Sequence, residues 1–183
     1  MLFLFDFRKT ISDLIDSNYY SVLADELHAL GLEYHSEIIY GGRIYPPLDI
    51  LRSARRVDLN MDEFWAKPDK TNQLPVYTRR ETLTRTFPME ASLVRGRSVL
   101  GSESYTGHAN WTETPQSLKP FGDAAFCAGI NQSILHSYVH QPDDVAPQMA
   151  LQGLYGGHFN RNNPWWKHAQ GWMEYQDRVQ GIL

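Results

Sequence analysis

Three glutamates stand where carboxylate chemistry could be done. Glu63 lies in the segment DEFW, Glu103 in GSESYTG, and Glu37 ends the apolar run LEYHSEII. Acids placed where a strand gives way to a loop, with Trp and Tyr beside them, suit the hydrolysis of an acetal. One carboxylic acid protonates the leaving oxygen, and a second carboxylate activates water or attacks the anomeric carbon. Glutamate serves either role, because environment alone can push two carboxyl groups apart in acidity. Each acid also has a plainer reading: Glu103 as a solvated loop acid, Glu63 as an acid favoured at a helix start, Glu37 as a partner of Arg43. Trp111 follows the Glu103 strand and could offer its face to a sugar. His136 and His140 fall on one side of a strand with Tyr138. Such histidines more often hydrogen-bond structurally than bind ligands. A zinc site built from His108, His136 and His140 lacks an HExxH or CxxC spacing to support it.

These residues must be positioned by a folded domain. The chain has 183 residues, 42% of them apolar and 21% charged, which is ordinary globular usage. Its net charge of -4 argues against a nucleic-acid or anionic-membrane partner. The aromatic content of 13% permits a carbohydrate surface as well as a core. A single cysteine, Cys127, rules out an internal disulfide, and its setting DAAFCAG reads as a buried helix position. The amino-terminal MLFLF is too short for a leader or a membrane span and reads as a strand. A chain starting inside a strand is expected to be a piece of something larger.

Strand and helix signals alternate along the chain. Thr10 to Asp13 opens a helix that Gly31 stops, and a strand over 32–39 follows. Gly41, Gly42, Pro46 and Pro47 mark a long loop, a helix over about 78–95 is interrupted by Pro88, and a strand runs over 98–103. Thr114 as N-cap and Pro115 at the first helical position open another helix, closed by Gly129 before a strand over 130–138. Trp165, Trp166 and Trp172 belong to a terminal helix and read mostly as core. The alternation predicts a single α/β domain over 1–183 with parallel strands, whose carboxyl ends carry Glu37, Glu103 and His136 on one rim.

The stretch NWTETPQSLKPFGDAAFCAGINQSILHSYVHQP, with GLYGGHFNRNNPWW, DEFW and GSESYTG in order, resembles glycoside hydrolase family 106, the α-L-rhamnosidases. That resemblance covers nearly the whole chain. It implies the C-terminal part of a (β/α)8 TIM-type barrel that hydrolyses rhamnose-containing glycosides with inversion, inside a longer exported protein. By the same resemblance Glu103 is the general base, Glu63 an active-site carboxylate holding sugar or metal, and calcium a cofactor. Glu37, Trp111, His136 and His140 are the expected substrate contacts. The family's other catalytic acid has no counterpart in this sequence. Roughly four strand-helix units cannot close a cylinder, so a partner half-barrel is expected. A catalytically inactive carbohydrate-binding remnant is the alternative. The family pattern is departed from at Ser104 and Tyr105, where Ala and Phe are usual, and at Asp62, where Gly is common.

Overall fold

The computed structural model describes residues 2–38, 48–66, 92, 94–107, 111–139 and 155–183. Two compact units emerge: Met1–Asp62 with Tyr77–Gly101, and Glu63–Val76 with Ser102–Leu183. The expected helix over 78–95 and its Pro88 lie almost wholly outside the described residues.

In the first unit, α1 (Leu2–Ile15) runs through a π-helical turn at Asp16–Tyr20 into α2 (Ser21–Ala29). Gly31, at φ 73°, ends the helix as predicted: its N–H donates to His28 O at 3.0 Å and Leu32 N–H to Leu27 O at 2.9 Å. Only a residue free of Cβ crowding takes that left-handed position readily. Of the strand expected for MLFLF, the described residues Leu2–Phe5 form instead the first turn of α1. Leu and Met are strong helix formers, and the segment continues without a breaker into the helical residues beyond it. Its side chains find little cover, with Leu2 79% and Phe3 76% exposed.

β1 (His35–Glu37) is shorter than the predicted strand, and α3 (Ile50–Ala54) follows with Asp49 as its N-cap, accepting from Arg52 N–H at 3.1 Å. Tyr20, Ala24, Tyr34, Ile38, Ala54 and Val57 form the core of this unit. Two buried carboxylates tie its elements together. Asp16 accepts from Ser53 Oγ at 3.2 Å and pairs with Arg52 Nε at 3.1 Å. Asp58 meets His28 Nε2 at 2.6 Å, Tyr34 N–H at 2.8 Å and Arg97 Nη2 at 2.7 Å. Burial pushes the Asp58 carboxyl up, but the Tyr34 N–H, His28 and Arg97 outweigh it and hold the group below the usual aspartate value.

β2 (Leu59–Trp65) pairs in parallel with β1, His35 opposite Leu59 and Glu37 opposite Met61. DEFW is therefore strand, not the start of a helix. β3 (Gly101–Thr106), α4 (Pro115–Cys127) and β4 (Gln132–Leu135) follow, and the four strands lie in sequence order within one sheet. A sheet built in this order with a helix between β3 and β4 is the α/β architecture that the alternation predicts. Thr114 caps α4 as expected, accepting from Ser117 N–H at 3.2 Å while Ser117 Oγ accepts from Thr114 N–H at 2.9 Å. Serine thus replaces the usual third-position glutamate of such a cap.

The core of the second unit is aromatic. Tyr105 and Phe64, both fully buried, meet edge to face at 4.7 Å, and Tyr105 meets Trp172 of α5 (Gln170–Gln180) at 5.3 Å. Phe159 stacks on Trp172 at 5.8 Å. Trp172 is core as predicted, whereas Trp165 and Trp166 are half-buried beside it. Cys127 is exposed, contrary to expectation. The inward face of α4 carries Leu118, Gly122, Ala125 and Phe126, and one residue further turns the side chain out of that face.

Candidate active site

Glu63 lies on β2 two residues before its end, and Glu103 lies on β3 three residues before its end, so the strand expected over 98–103 is shifted to 101–106 and Glu103 stands inside it. Carboxylate oxygens of these two side chains lie within 4.8 Å of each other. Both side chains are partly exposed, and a fully buried aromatic residue lies close in each strand, Phe64 next to Glu63 and Tyr105 two residues beyond Glu103. A strand anchored on its inner face by a large ring holds the opposite face in a fixed place, which is what a catalytic carboxylate needs.

Glu103 is further held by two neighbours. Thr106 Oγ1 donates to Glu103 Oε1 at 2.5 Å, and His136 Nδ1 lies 3.1 Å from the same oxygen. His136 Nδ1 is also 3.1 Å from Thr106 Oγ1, so the three groups close a triangle. His136 follows the end of β4, one residue past the strand, and its N–H donates to Ser104 O at 3.1 Å. The expected meeting of Glu103 and His136 is found; that of His140 is not described, since it lies outside the described residues.

Glu37 belongs to the first unit, where it closes β1 opposite Met61.

The glycine-rich stretch beginning at Tyr155 contributes more than its composition suggests. Gly156 N–H donates to Gly107 O at 2.9 Å, Gly157 N–H to His136 O at 2.7 Å and Ser137 N–H to Gly157 O at 3.2 Å. These bonds lay the segment along the ends of β3 and β4. Tyr155 thereby meets Trp65 edge to face at 5.2 Å. Trp111 stacks on the buried His158 with ring centroids 3.7 Å apart and planes 5° from parallel. One face of the expected sugar platform is therefore taken by an imidazole. Among the described residues, His158 Nε2 and Asn160 Nδ2 are buried without a hydrogen-bond partner. Neither residue stands out in sequence, because a polar loop with three glycines, Gly153, Gly156 and Gly157, gives no period to read. Thr106 also escapes a sequence reading, since residues three apart on a strand point to opposite faces. Tyr105 sits at φ 62°, in the left-handed region, and this interrupts the alternation so that its ring enters the core while the Thr106 hydroxyl comes beside Glu103.

Comparison with known proteins bears on the fold and the family. A solved rhamnosidase from Novosphingobium sp. PP1Y is 27% identical and superposes with a TM-score of 0.85 over 97% of this chain and 16% of that one. A protein of Formosa agariphila, provisionally named a beta-glucuronidase, is 38% identical over 99% of this chain and 14% of its own length. The chain thus spans a small fraction of the relatives it matches. The sequence profile of glycoside hydrolase family 106, described as alpha-L-rhamnosidase, matches residues 2–183, and the chain belongs to that family.

Proposed function

We propose that this chain forms part of the catalytic centre of a hydrolase that removes terminal α-L-rhamnose with inversion, and that Glu103 is its general base. The observation that carries this reading is the Glu103 carboxylate on β3, held by Thr106 and His136 in a chain of a rhamnosidase family. In the proposed reaction Glu103 takes a proton from water as the water oxygen bonds to the anomeric carbon. The bond to the aglycone oxygen breaks, and a carboxylic acid from outside this sequence protonates that oxygen. Rhamnose leaves with inverted configuration.

Spacing supports giving Glu63 a different role. An inverting pair stands about 6.5–9.5 Å apart to admit water, and Glu63 approaches Glu103 to within 4.8 Å. Glu63 is then a binding group. Two carboxylates this close also fit the oxygen-donor chemistry of calcium. Glu63 and Glu103 would hold the ion, which supplies positive charge to orient sugar hydroxyls. Titrating the chain with calcium is expected to raise its melting temperature, with the rise abolished in Glu63→Gln; an unchanged melting temperature removes the metal from the proposal.

The name of the Formosa agariphila relative raises a uronic acid as substrate. Without a bound cation, two acidic side chains repel the carboxylate of a glucuronide, whereas rhamnose is uncharged. The test is release of p-nitrophenol from its α-L-rhamnoside and from its β-D-glucuronide, by this chain and by the chain extended at its amino terminus. Turnover of the rhamnoside alone is expected. Exclusive turnover of the glucuronide would overturn the assignment, and silence of both forms would favour a non-catalytic remnant.

A further inference from the structure

The triangle of Thr106, Glu103 and His136 has a definite direction of hydrogen bonding. A carboxylate oxygen accepts only, and a threonine hydroxyl has one proton to give. With Thr106 Oγ1 only 2.5 Å from Glu103 Oε1, that proton lies on the Glu103 side; two lone pairs could not approach so closely. Thr106 Oγ1 can then only accept from His136, 3.1 Å away, so Nδ1 of His136 must carry a hydrogen. The same hydrogen points toward Glu103 Oε1, also 3.1 Å from Nδ1. In the neutral ring Nε2 is left as the acceptor.

We infer that Thr106 is a positioning residue: its hydroxyl fixes His136 as the Nδ1–H tautomer and holds Glu103 by Oε1, leaving Glu103 Oε2 for water and His136 Nε2 to accept a hydroxyl of the sugar. The assignment rests on Glu103 being the base of a rhamnoside hydrolase for its catalytic consequence, and on hydrogen bonding alone for the tautomer. Several observations favour design over coincidence of packing. Thr106 is 1% exposed, so its hydroxyl is shielded from competing water. Its carbonyl accepts from Ala66 N–H at 2.8 Å, which fixes the backbone at the end of β3 against the end of β2. The left-handed backbone at Tyr105 directly precedes it and is what turns the hydroxyl to the Glu103 side. A non-glycine residue in that region carries a backbone cost that the surrounding structure must offset.

Thr106→Val keeps the branched shape and removes the hydroxyl, whereas Thr106→Ser keeps the hydroxyl. The imidazole 15N resonances of His136, read by NMR in the 183-residue chain, report which ring nitrogen is protonated. The Nδ1–H form is expected to dominate in the natural chain and in Thr106→Ser, and to lose that dominance in Thr106→Val. In the rhamnoside assay, with the chain alone and extended at its amino terminus, kcat is expected to fall at least tenfold in Thr106→Val with KM changed less, and to stay within about threefold in Thr106→Ser. An Nδ1–H signal unchanged in Thr106→Val, or an Nε2–H form in the natural chain, overturns the inference. If Thr106→Val fails to fold, a serine variant with an altered tautomer overturns it equally. Absence of rhamnoside cleavage in the natural sequence sinks the functional reading, and the NMR result still decides the role of Thr106.

Discussion

Replacing Glu103 by Gln is expected to lower kcat on p-nitrophenyl α-L-rhamnoside by about 10²–10⁴, the range that general-base assistance contributes. Glutamine keeps the size of the side chain, and its carbonyl oxygen can still accept from Thr106 Oγ1, so the triangle with His136 keeps a partner at that corner. What is lost is the ability to take a proton from water. With calcium absent from the buffer, KM should move little, because the sugar's other contacts remain. Initial rates and a thermal melt on the same preparation separate the two effects: a large loss of kcat with an unchanged melting temperature is expected. Undiminished turnover would remove Glu103 from the role of base and shift attention to Glu63, whose carboxylate lies within 4.8 Å.

The largest expected change in stability lies on the opposite face of the same strand. Gly122 →Ala would place a methyl group 2.2 Å from Tyr105 Oη and 3.1 Å from Cζ. A mobile side chain could swing away, but Tyr105 has no such freedom. Its ring is fully buried against Phe64, Phe159 and Trp172, and its hydroxyl donates to the buried Gln176 at 3.1 Å. Relief must come from moving α4 away from the sheet or from breaking the Tyr105–Gln176 bond, which leaves buried polar atoms unpaired. The better helix propensity of alanine returns about 1 kcal/mol. Overpacking costs typically about 1–3 kcal/mol, occasionally more, and the loss of a buried hydrogen bond adds to it. The net expectation is a destabilisation of about 2 kcal/mol or more, read as a lower urea midpoint at an unchanged slope. A midpoint equal to that of the natural chain would show that Tyr105 is not the rigid anchor described.

Much of this arrangement is legible in the sequence where local chemistry decides it. Thr114 before Pro115 announces a helix start through backbone N–H groups that need an acceptor, and Gly31 announces a helix end through a conformation other residues resist. That Glu103 and His136 belong to neighbouring strand segments follows from strand-helix alternation and from the family resemblance, although Glu103 stands inside β3 and not at its end. Other features depend on contacts that no window of sequence contains. MLFLF has the apolar character of an inner strand, yet its helical form is set by continuity with the residues after it. Burial of Cys127 turns on a single step around α4. Thr106 joins Glu103 only because Tyr105 leaves the strand conformation, and Trp111 meets His158, 47 positions further along the chain.

The apolar side chains at the beginning of α1 have a practical consequence. Leu2, Phe3, Leu4, Phe5 and Phe7 are all more than half exposed, and Phe3 and Phe7 stack one turn apart at 6.1 Å. That much greasy surface on one short helix makes the isolated polypeptide sticky. Raising ionic strength will not disperse it, since the attraction is not electrostatic and salting-out ions strengthen it. Mild detergent or arginine in the buffer is the appropriate remedy during purification, ahead of any assay or titration.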